Sequence, residues 1–380
     1  MSTHPLNVLE LACDGVRGLT PYEPGKPIAE LERELGIRDA IKLASNENPL
    51  GPSPRALEAV QACLAELARY PDGNGFALKR ALAERHGVEA ACITLGNGSN
   101  DVLDLVARTF LGPGRSAVFS RHAFAVYPIA TQAVGATARV AQANRPDDSM
   151  PYGHDLGRLA AAVGEDTRVV FIANPNNPTG TWLRSGELEA FITALARDVI
   201  VVVDEAYFEY VDDPAYPDTT QWLDRFPNLV VTRTFSKAYG LAGLRVGYSV
   251  SSPAIADLLN RVRQPFNLNI PAQEAALAAL GDEDHLSRSV ALNRAGRSQW
   301  HLGLAALGLT ALPSVGNFLC VGVNRPGTEV YRALLDRGVI VRPVGGYGLP
   351  EFLRVTVGTE AENARALGAL GDALAEIASH

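Results

Sequence analysis

Four short, continuously apolar runs, Ala117–Ser120, Val169–Ala173, Ile200–Val203 and Leu229–Thr232, constrain the fold of this chain most strongly. Runs without polar alternation belong to strands buried on both faces, and helical apolar spacing separates most of them, as in Glu187–Ala196. Such strands alternating with helices form a mainly parallel sheet covered by helices, so the expected class is α/β. Helical spacing also covers Pro54–Leu67, Gly75–His86 and, after the turn Gly96-Asn97-Gly98-Ser99, Asp101–Phe110. Beyond Gln264-Pro265-Phe266 the texture changes. Alanine- and leucine-rich helices, Ala272–Leu280 and His285–Leu307, lead to short strands near Phe318–Val323 and Leu353–Val357. The first fifty residues are rich in proline and turn formers, including Pro21, Pro24, Pro27 and Ser45-Asn46-Glu47-Asn48-Pro49. The expected organisation is an arm over residues 1–50 packing with the smaller unit, a large unit over 51–264 and a small α+β unit over 265–380.

Charge and cysteine usage narrow the function. The 380 residues carry 34 Lys plus Arg against 42 Asp plus Glu, a net charge of -8. That argues against non-specific nucleic-acid binding, which draws its strength from a basic face. Cys13, Cys63, Cys92 and Cys320 are scattered, with no C-x-x-C and no histidines at ligand spacing. No disulfide framework and no metal site are expected, and the chain reads as a resident of a reducing, cytoplasmic compartment. The opening MSTHPLNVLELACDGVRG is too often interrupted by acids and polar residues for a secretory signal. No stretch approaches the roughly 18 uninterrupted apolar residues of a spanning helix, so no membrane partner is expected.

In an open parallel sheet, ligands bind beyond the carboxyl ends of the strands. Three runs deliver polar residues there. Asn174-Pro175-Asn176-Asn177-Pro178-Thr179-Gly180 follows the second run, and Asp204-Glu205-Ala206-Tyr207 follows the third. Arg233-Thr234-Phe235-Ser236-Lys237 and then Gly243-Leu244-Arg245 follow the fourth. An amide, a carboxylate, a phenol, hydroxyls, a lysine and an arginine thus converge on one crevice, and each has a task if the ligand is a phosphorylated pyridine aldehyde.

The strings Asn174–Gly180, Asp204–Tyr207 and Ser236–Arg245 resemble those of fold-type I aminotransferases that use pyridoxal phosphate. Pro21-Tyr22, Ser45–Pro49, Arg69-Tyr70-Pro71-Asp72 and Leu353-Arg354-Val355-Thr356-Val357-Gly358-Thr359 are similar to the histidinol-phosphate branch of that family. The match runs from about residue 16 to 360, nearly the whole chain. The resemblance implies a large cofactor-binding domain, a smaller α+β domain and an N-terminal arm. It makes Lys237 the Schiff-base lysine and the general acid–base, a role that needs a lowered pKa. Asp204 is expected to pair with the pyridine nitrogen and so preserve the ring's capacity as an electron sink. Tyr207 and Asn177 are expected at the ring oxygen, and Phe124 is expected to stack on the ring. Phe124 stands where the family more often has tyrosine, and His122-Ala123 precedes it.

Phosphate binding is expected from Gly98, Ser99 and Asn100 at a helix N-terminus, together with Thr234, Ser236 and Arg245. Tyr70 resembles the tyrosine that reaches the phosphate from a neighbouring subunit, which implies a homodimer with shared sites. Tyr22, Asn46, Arg342 and Arg354 are expected at the substrate, with Arg354 gripping its anionic end. The implied reaction is ping-pong transamination between histidinol phosphate and 2-oxoglutarate. An aromatic aminotransferase is the alternative, because an imidazole-sized pocket also admits a benzene ring. A phospho-amino-acid decarboxylase would share Lys237 and Asp204. A non-catalytic regulator would need an attached DNA-binding module, and no basic domain flanks the scaffold.

Overall fold

The computed structural model describes residues 7–22 and 24–379. The part of the expected arm at Met1–Leu6 and at Glu23 lies outside the described residues, as does His380.

A seven-stranded sheet forms the centre. In chain order its strands are β1 (Ile93–Gly96), β2 (Ser116–Ser120), β3 (Thr137–Ala141), β4 (Thr167–Ala173), β5 (Ile200–Asp204), β6 (Leu229–Thr234) and β7 (Gly247–Ser251). Their order across the sheet is β1-β7-β6-β5-β4-β2-β3. The five strands from β6 to β3 are mutually parallel, whereas β7 runs antiparallel to both β6 and β1. The apolar runs fold as expected because helices cover both faces of the sheet. Leu103, Tyr127 and Leu259 pack on one face with Phe171 and Val202, while Leu188, Phe191 and Ile192 pack on the other with Val170 and Val203.

Three strands carry weaker signals. β1 is only four residues long, β7 is the serine-rich Gly-Tyr-Ser-Val-Ser, and β3 is an edge strand with Thr137, Ala138 and Val140 exposed. None has the continuous apolar run that marks β4 to β6.

A second, antiparallel sheet orders Arg342–Pro343, Phe352–Thr356, Phe318–Gly322 and Thr310–Ala311. The helices Glu283–Ala306, Gly327–Asp336 and Glu360–Ala378 cover it, with Trp300 buried and its indole N–H donated to Asn363 Oδ1 at 2.8 Å. The N-terminal segment joins this unit: Ile41–Lys42 pairs in parallel with Val339–Ile340, and Leu31 packs on Ile340. The helix Ile270–Leu280 packs against Pro54–Cys63 and shares a core with β1 and β7 through Ala272, Ala275 and Ala276. The 24-residue helix Glu283–Ala306 then reaches from Gly51, whose carbonyl meets His285 Nε2 at 3.1 Å, to the small sheet.

Candidate active site

The carboxyl ends of β4, β5 and β6 open into one cavity of about 380 Å³. Fourteen of the residues singled out in the sequence line it: Tyr22, Asn46, Ser99, Asn100, Phe124, Asn177, Asp204, Tyr207, Thr234, Ser236, Lys237, Arg245, Arg342 and Arg354. Gly98 stands behind the wall, against the Arg245 guanidinium. Tyr70 is not among the lining residues. It is 80% exposed and stacks on Phe266 with ring centroids 4.7 Å apart.

Asp204 ends β5 with its carboxylate buried. Oδ1 accepts from the Thr232 hydroxyl and Oδ2 from the Tyr127 hydroxyl, each at 2.9 Å. Burial pushes this carboxyl above the ordinary carboxylate range, opposed by the two hydroxyls and by the backbone N–H of Ala206. The sequence reading missed Tyr127. It lies on the helix Val126–Ala133, stacks on Phe171 at 4.9 Å and is fully buried. It follows Phe124 by three residues, and the two rings meet edge to face at 5.9 Å.

Lys237 is the one lysine of the lining, and its Nζ donates to the Ser45 carbonyl at 3.2 Å. Desolvation, with Arg354 and Arg245 adding to it, lowers its pKa from the ordinary 10.5 to about 8. About a tenth of the amine is therefore neutral at pH 7, about a few hundredfold more than for an ordinary lysine, as a nucleophile or base requires. Tyr207 accepts from Asn46 Nδ2 at 2.8 Å, and burial pushes its phenol up to about 12. It remains a protonated hydrogen-bonding group. Arg354 is buried, donating to Asn177 Oδ1 at 2.6 Å and to the Ala44 carbonyl at 2.5 Å. Its Nε has no hydrogen-bond partner among the described residues. Arg342 places its guanidinium 5.7 Å from the Tyr22 ring centroid.

A phosphate-bearing pyridine fits these residues on one backbone observation. The helix Ser99–Phe110 begins without a side-chain cap, and two glycines let three segments meet at its start. A Cβ at Gly98 would come within 2.5 Å of Arg245 Nη2, and one at Gly247 within 2.3 Å of the Ser99 nitrogen. A guanidinium thus lies against the uncapped N–H end of a helix, with the Ser236 hydroxyl 3.4 Å from Arg245 Nη1. That is a cradle for a dianion. The buried carboxylate of Asp204 suits a protonated ring nitrogen, and Phe124 with Val126 and Ile129 supplies an apolar wall.

The comparisons agree with this geometry. The family model for aminotransferase class I and II matches residues 38–370. A histidinol-phosphate aminotransferase 2 of Pseudomonas aeruginosa is 61% identical over 97% of this chain and 98% of its own length. A histidinol-phosphate aminotransferase 2 of Methylococcus capsulatus is 60% identical over 94% and 96%. Among solved structures, a histidinol-phosphate aminotransferase from Sinorhizobium meliloti in complex with pyridoxal-5'-phosphate superposes with a TM-score of 0.87 at 30% identity. That match covers 96% of this chain and 97% of the other.

Proposed function

Because this chain belongs to the aminotransferase class I and II family, we propose that it exchanges an amino group between L-histidinol phosphate and 2-oxoglutarate. The products are imidazole acetol phosphate and L-glutamate, a step of histidine biosynthesis. The observation that carries this reading is a cavity that joins a phosphate cradle, a lysine of lowered pKa and two further guanidinium groups, Arg342 and Arg354. One anion-binding subsite serves the cofactor, and the others serve a phosphorylated donor and a dicarboxylate acceptor.

The cofactor is pyridoxal phosphate. Ser99, Asn100, Thr234, Ser236 and Arg245 hold its phosphate, Asp204 its ring nitrogen, and Tyr207 and Asn177 its ring oxygen, with Phe124 against the ring. When bound, it supplies an aldehyde that exchanges amines and a protonated ring that draws electrons from the carbon bearing the amino group. Lys237 Nζ takes the proton from that substrate carbon and returns one in the second half of the cycle. Arg354 orients the carboxylate that glutamate and 2-oxoglutarate share, and Tyr22 from the N-terminal arm covers the mouth beside Arg342.

We further assign the chain to a homodimer and to the cytoplasm. In support of the dimer, Tyr70 is exposed and lines no part of its own cavity, and Leu64, Leu67 and Phe76 are exposed near it in the chain. A second copy covering this edge would carry the Tyr70 of one protomer toward the phosphate cradle of the other. In support of the compartment, Cys63 and Cys320 are buried free thiols, and no described helix is long and apolar enough to cross a membrane. We propose an arm, a large unit and a small unit, with the handover along the helix Glu283–Ala306 and not at residue 265 as expected from the sequence, because Ile270–Leu280 packs on Pro54–Cys63 and into the core of the large unit.

The test is a half-reaction. Purified protein loaded with pyridoxal phosphate receives histidinol phosphate, or phenylalanine, without a keto acid, and the cofactor absorbance is followed. Histidinol phosphate should bleach it rapidly at concentrations where phenylalanine acts slowly. The reverse preference would make the chain an aromatic aminotransferase, and no uptake of pyridoxal phosphate would refute the assignment.

A further inference from the structure

The end of β5 places two buried acids side by side, Asp204 and Glu205, with opposite solutions. Asp204 stands in register with Thr232, and side chains alternate, so Glu205 and Arg233 face the other side of the sheet. Glu205 is neutralised there: Arg233 reaches it through Nε at 3.0 Å and Nη2 at 2.7 Å, and Thr219 donates to it at 2.6 Å. Asp204 is equally buried, yet hydroxyls rather than a guanidinium bond to it directly.

A guanidinium in that place would consume the charge, whereas hydroxyl donors fix its position and leave its field intact. The two donors come from different elements, the helix Val126–Ala133 and β6, and take one carboxylate oxygen each. Asp204 is thereby clamped at both oxygens. The titratable groups acting on it are Tyr127 from the helix, Tyr207 from the loop after β5 and Lys237 from the loop after β6.

We propose that Tyr127 and Thr232 are positioning residues for the amino transfer: their hydroxyls hold Asp204 ionised and aimed into the cavity, reserving its charge for a cationic ring nitrogen. The assignment rests on the function proposed above, and concerns two residues outside the predicted site. Thr232 carried a signal, being the polar residue that ends an apolar run at the same level as Asp204.

The experiment uses apoenzyme of the wild type, Tyr127→Phe, Thr232→Val and Thr232→Ser, titrated with pyridoxal phosphate by absorbance across pH. Loss of one donor to a buried carboxylate should weaken uptake about tenfold in Tyr127→Phe and Thr232→Val. Removing a donor raises the carboxyl pKa, so the acid limb of the binding profile should move to higher pH in both. Thr232→Ser keeps the hydroxyl and should restore wild-type affinity and profile. Unchanged affinity and acid limb in Tyr127→Phe, or Thr232→Ser behaving like Thr232→Val, would overturn the assignment. Should one variant fail to fold by circular dichroism, the variant at the other position decides. Failure of the wild type to take up pyridoxal phosphate would instead overturn the functional reading beneath it.

Discussion

Arg354 donates through Nη1 to the side-chain oxygen of Asn177 at 2.6 Å, tying the small antiparallel sheet to the loop that follows β4. The residue expected at the substrate carboxylate and the residue expected at the cofactor ring are therefore one hydrogen-bonded unit. The same guanidinium also holds the Ala44 carbonyl at the end of the N-terminal segment. Lysine cannot reproduce this forked arrangement. Arg354→Lys should raise the KM for glutamate and 2-oxoglutarate about tenfold or more, with a smaller change in kcat, by steady-state kinetics. An unchanged KM would remove Arg354 from the substrate.

The lowered pKa of Lys237 predicts a pH dependence. Only the neutral amine captures an aldehyde, and the folded pKa lies at about 8 instead of 10.5, so the neutral fraction rises with pH through about 8. The rate at which apoenzyme captures pyridoxal phosphate should rise with that midpoint in stopped-flow absorbance. A midpoint near the ordinary lysine value would show that desolvation does not tune this amine. Lys237→Ala should lose transamination by at least about a thousandfold while keeping its circular dichroism spectrum.

Gly98 has φ +84°, and a Cβ there meets Arg245 Nη2. Gly98→Ala should displace the guanidinium from the helix N-terminus and weaken pyridoxal phosphate binding about tenfold, with about 1–3 kcal/mol of added backbone strain. Fluorescence titration of the apoenzyme measures the first effect and denaturant unfolding the second. Wild-type affinity would mean the cradle does not hold the phosphate.

On the far side of the sheet, Arg233 and Glu205 are almost completely buried, and the guanidinium lies 3.4 Å from the Phe208 ring centroid. Arg233→Met strands a buried carboxylate and should cost about 3–5 kcal/mol of stability. Pairing it with Glu205→Leu should recover part of that loss, because it removes the stranded buried charge and leaves only the partly exposed Asp218, which Arg233 also pairs at 2.7 Å, without its guanidinium. Denaturant titration of the single and double variants checks both.

Legibility in the sequence followed how strongly each physical constraint writes itself into residue type. β4, β5 and β6 were readable because strands covered on both faces must be apolar throughout, and the strings after them marked the crevice. β7 escaped notice because Ser249 and Ser251 are buried small polar residues, and β3 because an edge strand need not be apolar. Tyr127 reads as a core aromatic until its hydroxyl is seen to have a carboxylate beside it. The cavity residues from the two ends of the chain, Tyr22 and Arg354, came from resemblance, since no local pattern brings them together. The same is true of Tyr70, whose place in the chain carries no record of which copy's cavity it serves.

The alternation along β5 has an evolutionary corollary. Asp204 faces the cavity and Glu205 the guanidinium only through strand parity, so one residue gained or lost within β5 would turn each acid to the opposite face. A loss would bring Glu205 to the place Asp204 holds, and a gain would carry Asp204 to Arg233 and leave Val203 at the site. A lineage descending from this chain can vary the composition of β5 freely among apolar residues, but it inherits the strand's length as a fixed quantity.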